Sequence, residues 1–310
     1  MRIVVAGGTG FIGRALTAEF AEAGWEVVVL SRAPGKPGRL APGIREVTWD
    51  GRTLGAWAAE IDGAQAVVNL AGVSIAGDSL PSILFSRWTE PRKRAIRSSR
   101  IETGRVLAHA IRQASTRPVV FIQASGVNVY GVEHPGPVLE STPAGQDFLA
   151  SVCVEWEAAS QEVESLGVRR AVIRSGLVLS TKGGILPMIA LPFRLLIGGR
   201  LGSGQQWVPW IDLRDETAAI RFLIERPEGV GAFNLVAPGA ARSDAFGRAL
   251  ARALHRPFWF PTPSFLLRWL LGEKATLVLE GCRIVPHRLL ESGFSFRSPT
   301  VEEALTDLVR

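Results

Sequence analysis

The feature that most constrains the fold is a glycine-rich turn near the beginning of the chain, in the segment VVAGGTGFIG. A short apolar run at residues 2–6 precedes the turn, and residues 11–23 after it have the spacing of an amphipathic helix. Gly7 permits a tight turn out of the strand, Gly10 leaves room for a pyrophosphate to approach the backbone, and Gly13 lets the helix pack closely.

A strand, this turn and a helix in that order predict a dinucleotide-binding site of the Rossmann type. In such a site the unpaired N–H groups at the helix N-terminus face the cofactor phosphates. The alternative interpretation is a plain strand-to-helix turn. The residues predicted to contact the cofactor here are Gly7, Gly8, Thr9, Gly10, Phe11, Ile12 and Gly13.

The first half of the chain alternates apolar runs with helical segments. The predicted strands are residues 2–6, 26–30, 64–70, 118–123 and 168–173, and the predicted helices are residues 11–23, 100–114 and 151–166. Continuous apolar strands between helices are typical of a parallel sheet that is covered on both faces. We therefore predict an α/β fold with a Rossmann-type, doubly wound parallel sheet.

The pattern changes after about Ser175, where residues 181–209 are rich in glycine and proline. A predicted helix at 212–225 and a strand at 231–236 return to the sheet, and the chain is mostly helical from residue 243 onward. The predicted organisation is a Rossmann domain of residues 1–178 with 212–236 returning to it, and a smaller, mostly helical C-terminal lobe of residues 179–211 and 237–310. Ligands are expected between the two, at the carboxyl ends of the strands.

The composition is that of an ordinary globular protein, with 310 residues of which 47% are hydrophobic and 21% charged. The formal net charge of +6 raises the question of nucleic acid. However, the densest basic cluster, at residues 92–100, has a spacing that wraps a helix and predicts a solvated helix face. The sequence has no zinc-finger spacing and no basic strand interleaved with aromatic residues, so no nucleic-acid partner is expected.

The two cysteines, Cys153 and Cys282, are too few for a disulfide framework and predict reduced thiols. The four histidines have no metal-binding spacing, so no metal is expected. The most apolar stretch, residues 185–197, is shorter than the ~20 residues of a membrane span. We expect a cytoplasmic protein without a membrane partner, as a monomer or homodimer; the alternative is binding to a membrane surface through residues 264–271.

The end of the second predicted strand distinguishes between the two nicotinamide dinucleotides. Enzymes that use NAD place a carboxylate there to hold the ribose 2′-hydroxyl. This chain has Ser31 and Arg32 instead, and Lys36 and Arg39 add positive charge nearby. A hydroxyl and a guanidinium bind a 2′-phosphate that a carboxylate would repel. The sequence therefore favours NADP(H) over NAD(H), the alternative being a surface arginine after a strand.

Several motifs resemble the extended short-chain dehydrogenase/reductase superfamily, namely GGTGFIG, NLAG at 69–72 and VYG at 129–131. The segments at 87–107, 147–159 and 201–215 and the helical C-terminal stretch resemble one atypical branch of it. Its members are usually called NAD-dependent epimerase/dehydratase family proteins, and their activity is largely unassigned. The resemblance covers essentially the whole chain.

The resemblance implies cofactor contacts at the ends of several strands. The residues are Asp50 near the adenine, Asn69, Ala71 and Gly72 along the cofactor, Ser125 near the nicotinamide, and Arg174, Ser175 and Gly176 beneath the nicotinamide ring. Two of these have a structural alternative. For Asn69 the alternative is a turn residue at the end of a strand, and Asp50 is interpreted equally well as a turn residue in WDG.

The chain departs from the superfamily where the chemistry is carried out. Relatives use a tyrosine and a lysine at Tyr-x-x-x-Lys spacing, with a serine that polarises the substrate oxygen. Alignment on Glu157 places Leu149 and Cys153 at the tyrosine and lysine positions, and Gly126 stands at the serine position. The usual proton relay is therefore missing.

The remaining candidates for the proton are Ser125 and Tyr130, the latter with a packing role as the alternative. By resemblance, Trp207, Trp210 and Asp212 enclose the substrate, unless the tryptophans only pack the lobe. Two functions follow. One is an NADP(H)-dependent oxidoreductase or epimerase acting on a small polar or nucleotide-sugar-like substrate, and the other is a non-catalytic NADP(H)-binding redox sensor or regulatory protein.

Overall fold

A seven-stranded parallel sheet forms the centre of the protein. The computed structural model describes residues 1–35, 39–77, 82, 87–132 and 134–309. The strands of the sheet are β1 (Arg2–Ala6), β2 (Glu26–Ser31), β3 (Arg45–Thr48), β4 (Ala66–Asn69), β5 (Val120–Gly126), β6 (Arg169–Ser175) and β10 (Gly231–Leu235). Their order across the sheet is β10-β6-β5-β4-β1-β2-β3, and every neighbouring pair is parallel. The order reverses at β1, between β2 and β4, which is where ligands bind in such sheets.

The sheet is apolar on both faces because helices cover both of them. Residues Ile3–Ala6 of β1 and Val27–Leu30 of β2 are almost completely buried, which explains why these strands read as continuous apolar runs. The helices of this region are α1 (Phe11–Glu22), α2 (Glu90–Gln113), α3 (Phe148–Ala158), α4 (Glu162–Ser165) and α6 (Leu213–Glu225). Short 3₁₀ helices lie at Ala56–Glu60 and Val127–Tyr130. The predicted α/β fold with a doubly wound parallel sheet is confirmed.

Two predicted helices have different bounds from those expected. Helix α2 begins at Glu90 instead of residue 100, with Pro91 in its first turn, where a proline costs no hydrogen bond. The helix predicted at 151–166 is divided into α3 and α4 by a turn.

A smaller lobe follows β6. Its short strands are β7 (Leu177–Leu179), β8 (Trp207–Val208), β9 (Trp210–Asp212) and β11 (Ala241–Arg242), with β7 paired to β9 and β8 to β11. Its helices are α5 (Leu186–Arg194), α7 (Ser243–Leu254), α8 (Ser264–Leu271), α9 (Thr276–Leu279), α10 (His287–Glu291) and α11 (Val301–Val309), with a 3₁₀ helix at Gly272–Ala275. The mostly helical C-terminal lobe is thereby confirmed, whereas its residue limits stay a prediction.

The lobe has its own apolar core around Leu179, Phe193, Trp210, Phe246 and Leu305. Helix α8 nevertheless leaves Phe265 and Trp269 largely exposed to solvent. Across the part of the chain that the structure describes, no helix combines the length and the apolar character needed to cross a membrane.

Candidate functional site

The glycine turn joins β1 to α1 and brings backbone atoms into very close contact. Gly7 has φ +81°, and a Cβ on it would lie 2.7 Å from the carbonyl carbon of Leu70. A Cβ on Gly13 would lie 2.3 Å from the carbonyl oxygen of Gly7, so Gly13 lets α1 pack against the turn itself. A Cβ on Gly8 would lie 2.7 Å from the Val29 side chain on β2. At these three positions of the turn, only glycine fits without a shift of neighbouring atoms.

The open side of this turn suits a phosphate group. Gly10 is exposed, and a Cβ on it would meet only the Gly7 carbonyl oxygen, at 3.1 Å. Among the described residues, the first amide of α1 with a backbone acceptor is that of Arg14, which donates to Gly10 at 3.0 Å. The amides of Phe11, Ile12 and Gly13 are therefore available to a ligand, at the positive end of the helix dipole.

The phenyl ring of Phe11 links the turn to the lobe. A Cβ on Gly184 would lie 2.8 Å from this ring, and one on Gly183 would lie 3.0 Å from it. These two glycines belong to the segment that follows β7. One wall of the phosphate turn is therefore made with the lobe.

The segment after β2 is the predicted 2′-phosphate site. Ser31 is buried, and its hydroxyl accepts a hydrogen bond from the Ala33 amide at 3.3 Å. Arg32 is exposed, while Arg39 donates to the Ala33 carbonyl at 3.1 Å and holds the segment in place. Lys36 lies outside the described residues. Among the described residues of this segment, the Arg32 guanidinium has no hydrogen-bond or ion-pair partner and is open to an anion from solvent.

Asp50 lies in the turn after β3, where its own loop engages the carboxylate. The Arg52 and Thr53 amides both donate to Oδ1 at 2.8 Å, and the Thr53 hydroxyl donates to Oδ2 at 2.6 Å. The Thr53 hydroxyl, followed by the two amides, lowers the pKa of Asp50 to about 2. This geometry favours the turn interpretation, and the contact with adenine stays a prediction.

Asn69 ends β4 and is completely buried. Its amide nitrogen donates to Gln123 on β5 at 3.2 Å, and its amide oxygen accepts from the Ala71 amide at 3.2 Å. Asn69 thereby fixes the direction in which the chain leaves the sheet. The segment that it orients places Ala71 and the exposed Gly72 at the carboxyl edge, beside the phosphate turn.

A buried polar network joins the ends of β5, β6 and β10. Ser125 donates to Glu157 on α3 at 2.7 Å, and Arg174 makes two hydrogen bonds of 2.9 Å to the same carboxylate. Arg174 also donates to the Tyr130 hydroxyl at 2.8 Å, which in turn donates to Asn234 at 2.6 Å. Both proton candidates therefore belong to one connected set of hydrogen bonds.

The two candidates differ in how close they come to a substrate. Tyr130 is 1% exposed, and burial raises the pKa of its hydroxyl. With its hydroxyl donating to Asn234 and accepting from Arg174, Tyr130 fits the packing interpretation better than that of a proton donor. Ser125 lies at the carboxyl end of β5, 7% exposed, on the edge where the nicotinamide is expected.

Leu149 and Cys153 are both buried on α3. Leu149 packs with Trp88, Ile96 and Val152, so the side chain at the tyrosine position is part of an apolar cluster. Burial raises the pKa of the Cys153 thiol to about 11, which leaves it protonated at neutral pH. A neutral thiol carries no positive charge, so Cys153 does not replace the lysine.

The segment after β6 is tightly packed. A Cβ on Gly176 would lie 2.6 Å from the Pro209 carbonyl oxygen, so this glycine allows β7 to pass close to the segment before β9. Ser175 donates at 2.6 Å to Glu216 on α6. Glu216 is completely buried, which raises its pKa to about 8, and its Oε2 has no hydrogen-bond partner within the described residues. No sequence motif pointed to Glu216, because a single acidic residue in a helix resembles a surface position.

The predicted substrate residues lie in the lobe, but they do not form one surface. Trp210 is 1% exposed and donates to the Gly239 carbonyl at 3.1 Å. Asp212 is fully buried, caps α6 through the Arg214 amide and pairs with the Arg214 side chain at 2.8 Å. Both fit packing roles. Trp207 is partly exposed, with the Arg242 guanidinium 4.3 Å from its ring, and is the one of the three that a ligand can reach.

The sequence and the fold both match known proteins. Residues 3–236 match the NAD dependent epimerase/dehydratase family, and residues 262–308 match a domain of unknown function, DUF1731. The epimerase family protein YfhF of Bacillus subtilis is 35% identical over 100% of this chain and 98% of its own length.

The fold is similar to that of two solved structures. The human epimerase family protein SDR39U1, in a crystal structure with NADPH, is 35% identical with a TM-score of 0.88, covering 100% of this chain and 99% of that one. UDP-glucose 4-epimerase of Thermotoga maritima, solved with UDP-glucose, has a TM-score of 0.79 at 16% identity and covers 100% and 97% of the two chains. At that identity the likeness concerns the fold alone.

Proposed function

Because the chain belongs to the NAD-dependent epimerase/dehydratase family, we propose that it binds NADP(H) and acts as an oxidoreductase or epimerase on a small polar or nucleotide-sugar-like substrate. The observation that carries the proposal is the glycine turn, where the amides of Phe11, Ile12 and Gly13 have no acceptor among the described residues. The human relative crystallised with NADPH supports the same choice of cofactor.

The residues present fit the cofactor at both ends of its adenosine half. The exposed Gly10 and the amides of Phe11 and Ile12 suit the diphosphate. Arg32, exposed at the end of β2 where relatives that use NAD carry a carboxylate, suits the 2′-phosphate. We expect NADPH to bind about tenfold or more tightly than NADH, since a charge-assisted hydrogen bond contributes about 1.5–3 kcal/mol.

Titration calorimetry with NADPH and NADH tests the cofactor assignment. Equal or stronger binding of NADH would contradict the preference for NADP(H). A folded protein without affinity for either dinucleotide would overturn the whole proposal.

The bound cofactor supplies the exchange of hydride at the nicotinamide, and the protein supplies binding, orientation and the proton. We assign the proton step to Ser125. Its Oγ accepts the proton of a substrate hydroxyl while its own proton passes to Glu157 Oε1, 2.7 Å away. Arg174 holds the Glu157 carboxylate in position with two hydrogen bonds. In the reverse direction the proton returns through Ser125 to the substrate oxygen.

NADPH oxidation across a panel of carbonyl compounds tests this assignment. Ser125→Ala should lose about 10²-fold or more in turnover and keep its NADPH affinity. Tyr130→Phe keeps the buried ring and is expected to retain most of the turnover. Native turnover in Ser125→Ala would rule out the proposed proton path.

The second candidate is a non-catalytic NADP(H)-binding redox sensor or regulatory protein. The observation that favours it is that Leu149 and Cys153 occupy the tyrosine and lysine positions, with no other Tyr-x-x-x-Lys pair in the sequence. Tight NADPH binding without turnover of any compound in the panel would support this function over the first.

A further inference from the structure

Arg100 on α2 is buried, although the basic cluster at 92–100 was expected to form a solvated helix face. Arg94 and Arg97 of the same cluster are exposed, as expected, whereas Arg100 is 6% exposed. The helix turns Arg100 inward because Ile96, one turn earlier on the same face, is completely buried. The prediction of a solvated face is therefore wrong at this position.

The Arg100 guanidinium has no carboxylate partner among the described residues. Its Nη1 donates to the carbonyls of Val73 at 3.1 Å and Ile96 at 2.9 Å. Its Cζ lies 4.9 Å from the centre of the Trp156 ring. Burial lowers the pKa of Arg100 to about 10, so the group keeps its charge at neutral pH.

A buried cation whose only hydrogen-bond acceptors among the described residues are two carbonyls costs free energy that an anionic or hydroxyl-rich ligand would offset. The second nitrogen of its fork, Nη2, makes no hydrogen bond among the described residues. A guanidinium with a free nitrogen suits phosphate oxygens and vicinal hydroxyls.

The position of Arg100 connects it to the cofactor edge. A Cβ on Gly72 would lie 3.2 Å from the Arg100 Cζ and 3.4 Å from Nη2, so the guanidinium packs against the segment that leaves β4. On its other side the charge of Arg100 acts on the Cys153 thiol and lowers its pKa against the larger effect of burial. Arg100 thus lies between the expected cofactor path and the residue at the lysine position.

We propose that Arg100 supplies, from α2, the positive charge that relatives carry as a lysine on α3, and that it binds the diphosphate and the nicotinamide-side ribose of NADP(H). This inference rests on the proposed function. It explains two observations together, namely a cysteine at the lysine position and a buried guanidinium that has no acidic partner in the described part of the chain.

The first test uses the native protein and compares three ligands by titration calorimetry. They are NADPH, 2′-phospho-ADP-ribose, which lacks only the nicotinamide, and 2′,5′-ADP, which also lacks the second phosphate and its ribose. We expect 2′-phospho-ADP-ribose to bind about tenfold or more tightly than 2′,5′-ADP. Equal affinities for these two ligands would overturn the proposal for Arg100 and leave the proposed function intact. A native protein that binds none of the three contradicts the proposed function itself.

The second test replaces the side chain and uses a matched control on the same helix. Arg100→Gln should weaken NADPH binding about tenfold or more and leave 2′,5′-ADP binding within about twofold of native. Arg97→Gln, which removes an exposed partner of Glu155 one turn earlier, should bind both ligands like the native protein. Native NADPH affinity in Arg100→Gln, or an equal loss for both ligands, would overturn the proposal.

The third test moves the charge back to α3. Cys153→Lys in the Arg100→Gln protein should recover NADPH affinity by about threefold or more, because one cation replaces the other. A double variant that binds NADPH no better than Arg100→Gln, with native affinity for 2′,5′-ADP as evidence of its fold, would contradict the replacement of the lysine.

Discussion

Single atoms determine the shape of the phosphate turn. The Gly13 position leaves no room for even a methyl group, because a Cβ there would approach the Gly7 carbonyl oxygen to 2.3 Å and the Gly8 Cα to 2.6 Å. Both neighbours are backbone atoms, so a side chain at this position cannot be accommodated by a change of rotamer. The turn and the first residues of α1 would have to move apart.

We expect Gly13→Ala to lower the free energy of unfolding by about 1–3 kcal/mol, as overpacking does elsewhere. NADPH binding should weaken as well, because the amides of α1 would be displaced. Gly136→Ala is the control, since a Cβ there would have no neighbour within 4 Å. Chemical denaturation and calorimetry measure both effects, and native stability in Gly13→Ala would contradict this account of the turn.

A second residue, Arg32, is predicted to determine the choice of dinucleotide. Arg32→Ala should weaken NADPH binding about tenfold and change NADH binding little, because only NADPH carries the 2′-phosphate. Arg112→Ala serves as the control. Arg112 is an exposed arginine in the last turn of α2, and its guanidinium pairs with Glu162. An equal loss for both dinucleotides would show that Arg32 does not read the 2′-phosphate.

Helix α3 is fastened to the sheet by the ion pair of Glu157 and Arg174. Both side chains are largely buried, at 16% and 12% exposure. Loss of one partner would leave a buried charge without compensation. Glu155, two residues earlier on α3, makes a comparable contact with Arg97 in solvent.

We expect Glu157→Gln to cost about 3–5 kcal/mol of unfolding free energy. Glu155→Gln should cost no more than about 1 kcal/mol, because exposed ion pairs contribute little. Urea denaturation of the two variants provides the comparison. Similar losses in both would mean that the buried pair does not fix α3.

Helix α6 carries a buried carboxylic acid, and this has a consequence for pH. The folded pKa of Glu216, raised by burial to about 8, exceeds the ordinary value of 4.5, so the folded protein keeps a proton that the unfolded chain loses. The contribution of Glu216 to stability is complete below about pH 4.5 and is lost as the pH rises through about 8.

Glu216→Gln should therefore flatten the fall in stability between about pH 5 and 8, a fall of at most about 1.4 kcal/mol per pH unit. Glu225→Gln, at the exposed end of the same helix, should retain the native slope. Thermal and urea unfolding across this pH range give the slopes. A Glu216→Gln protein with the native slope would show that Glu216 is not the titrating group.

The elements near the phosphate turn could be predicted from the sequence, while the polar connections between elements could not. The glycine spacing and the apolar runs are local signals, and they indicated β1, α1 and the parallel sheet correctly. Arg100 looked like a surface residue because it belongs to a basic cluster with the spacing of a helix face. Arg94 and Arg97 of that cluster are exposed, and only the packing of α2 shows that Arg100 is not. Partners such as Glu157 and Arg174 or Ser175 and Glu216 are far apart in sequence, so no local pattern joins them.

At the scale of the whole molecule, the proposed ligand would contact parts of the chain that are distant in sequence. The phosphate turn follows β1, Arg32 follows β2, and Gly72 follows β4. A ligand that binds these segments only in the folded state raises the stability of the complete protein by mass action.

We therefore expect NADPH to raise the unfolding free energy by about 2.7 kcal/mol when its concentration is one hundred times its Kd. NADH at the same concentration should give a smaller increase. Thermal unfolding with each ligand measures the difference. An unchanged unfolding temperature with NADPH, at a concentration where calorimetry shows saturation, would mean that the ligand does not select the folded state.

The ring of Phe11 gives the lobe and the phosphate turn a common boundary. Since Gly183 and Gly184 lie directly against it, a side chain at either position would require the ring to shift. Sequence changes that reshape the lobe for a new substrate are thus restricted at these two glycines, because their neighbour Phe11 belongs to the phosphate turn. Relatives that diverge in substrate are expected to vary elsewhere in the lobe first and to keep this small area of contact.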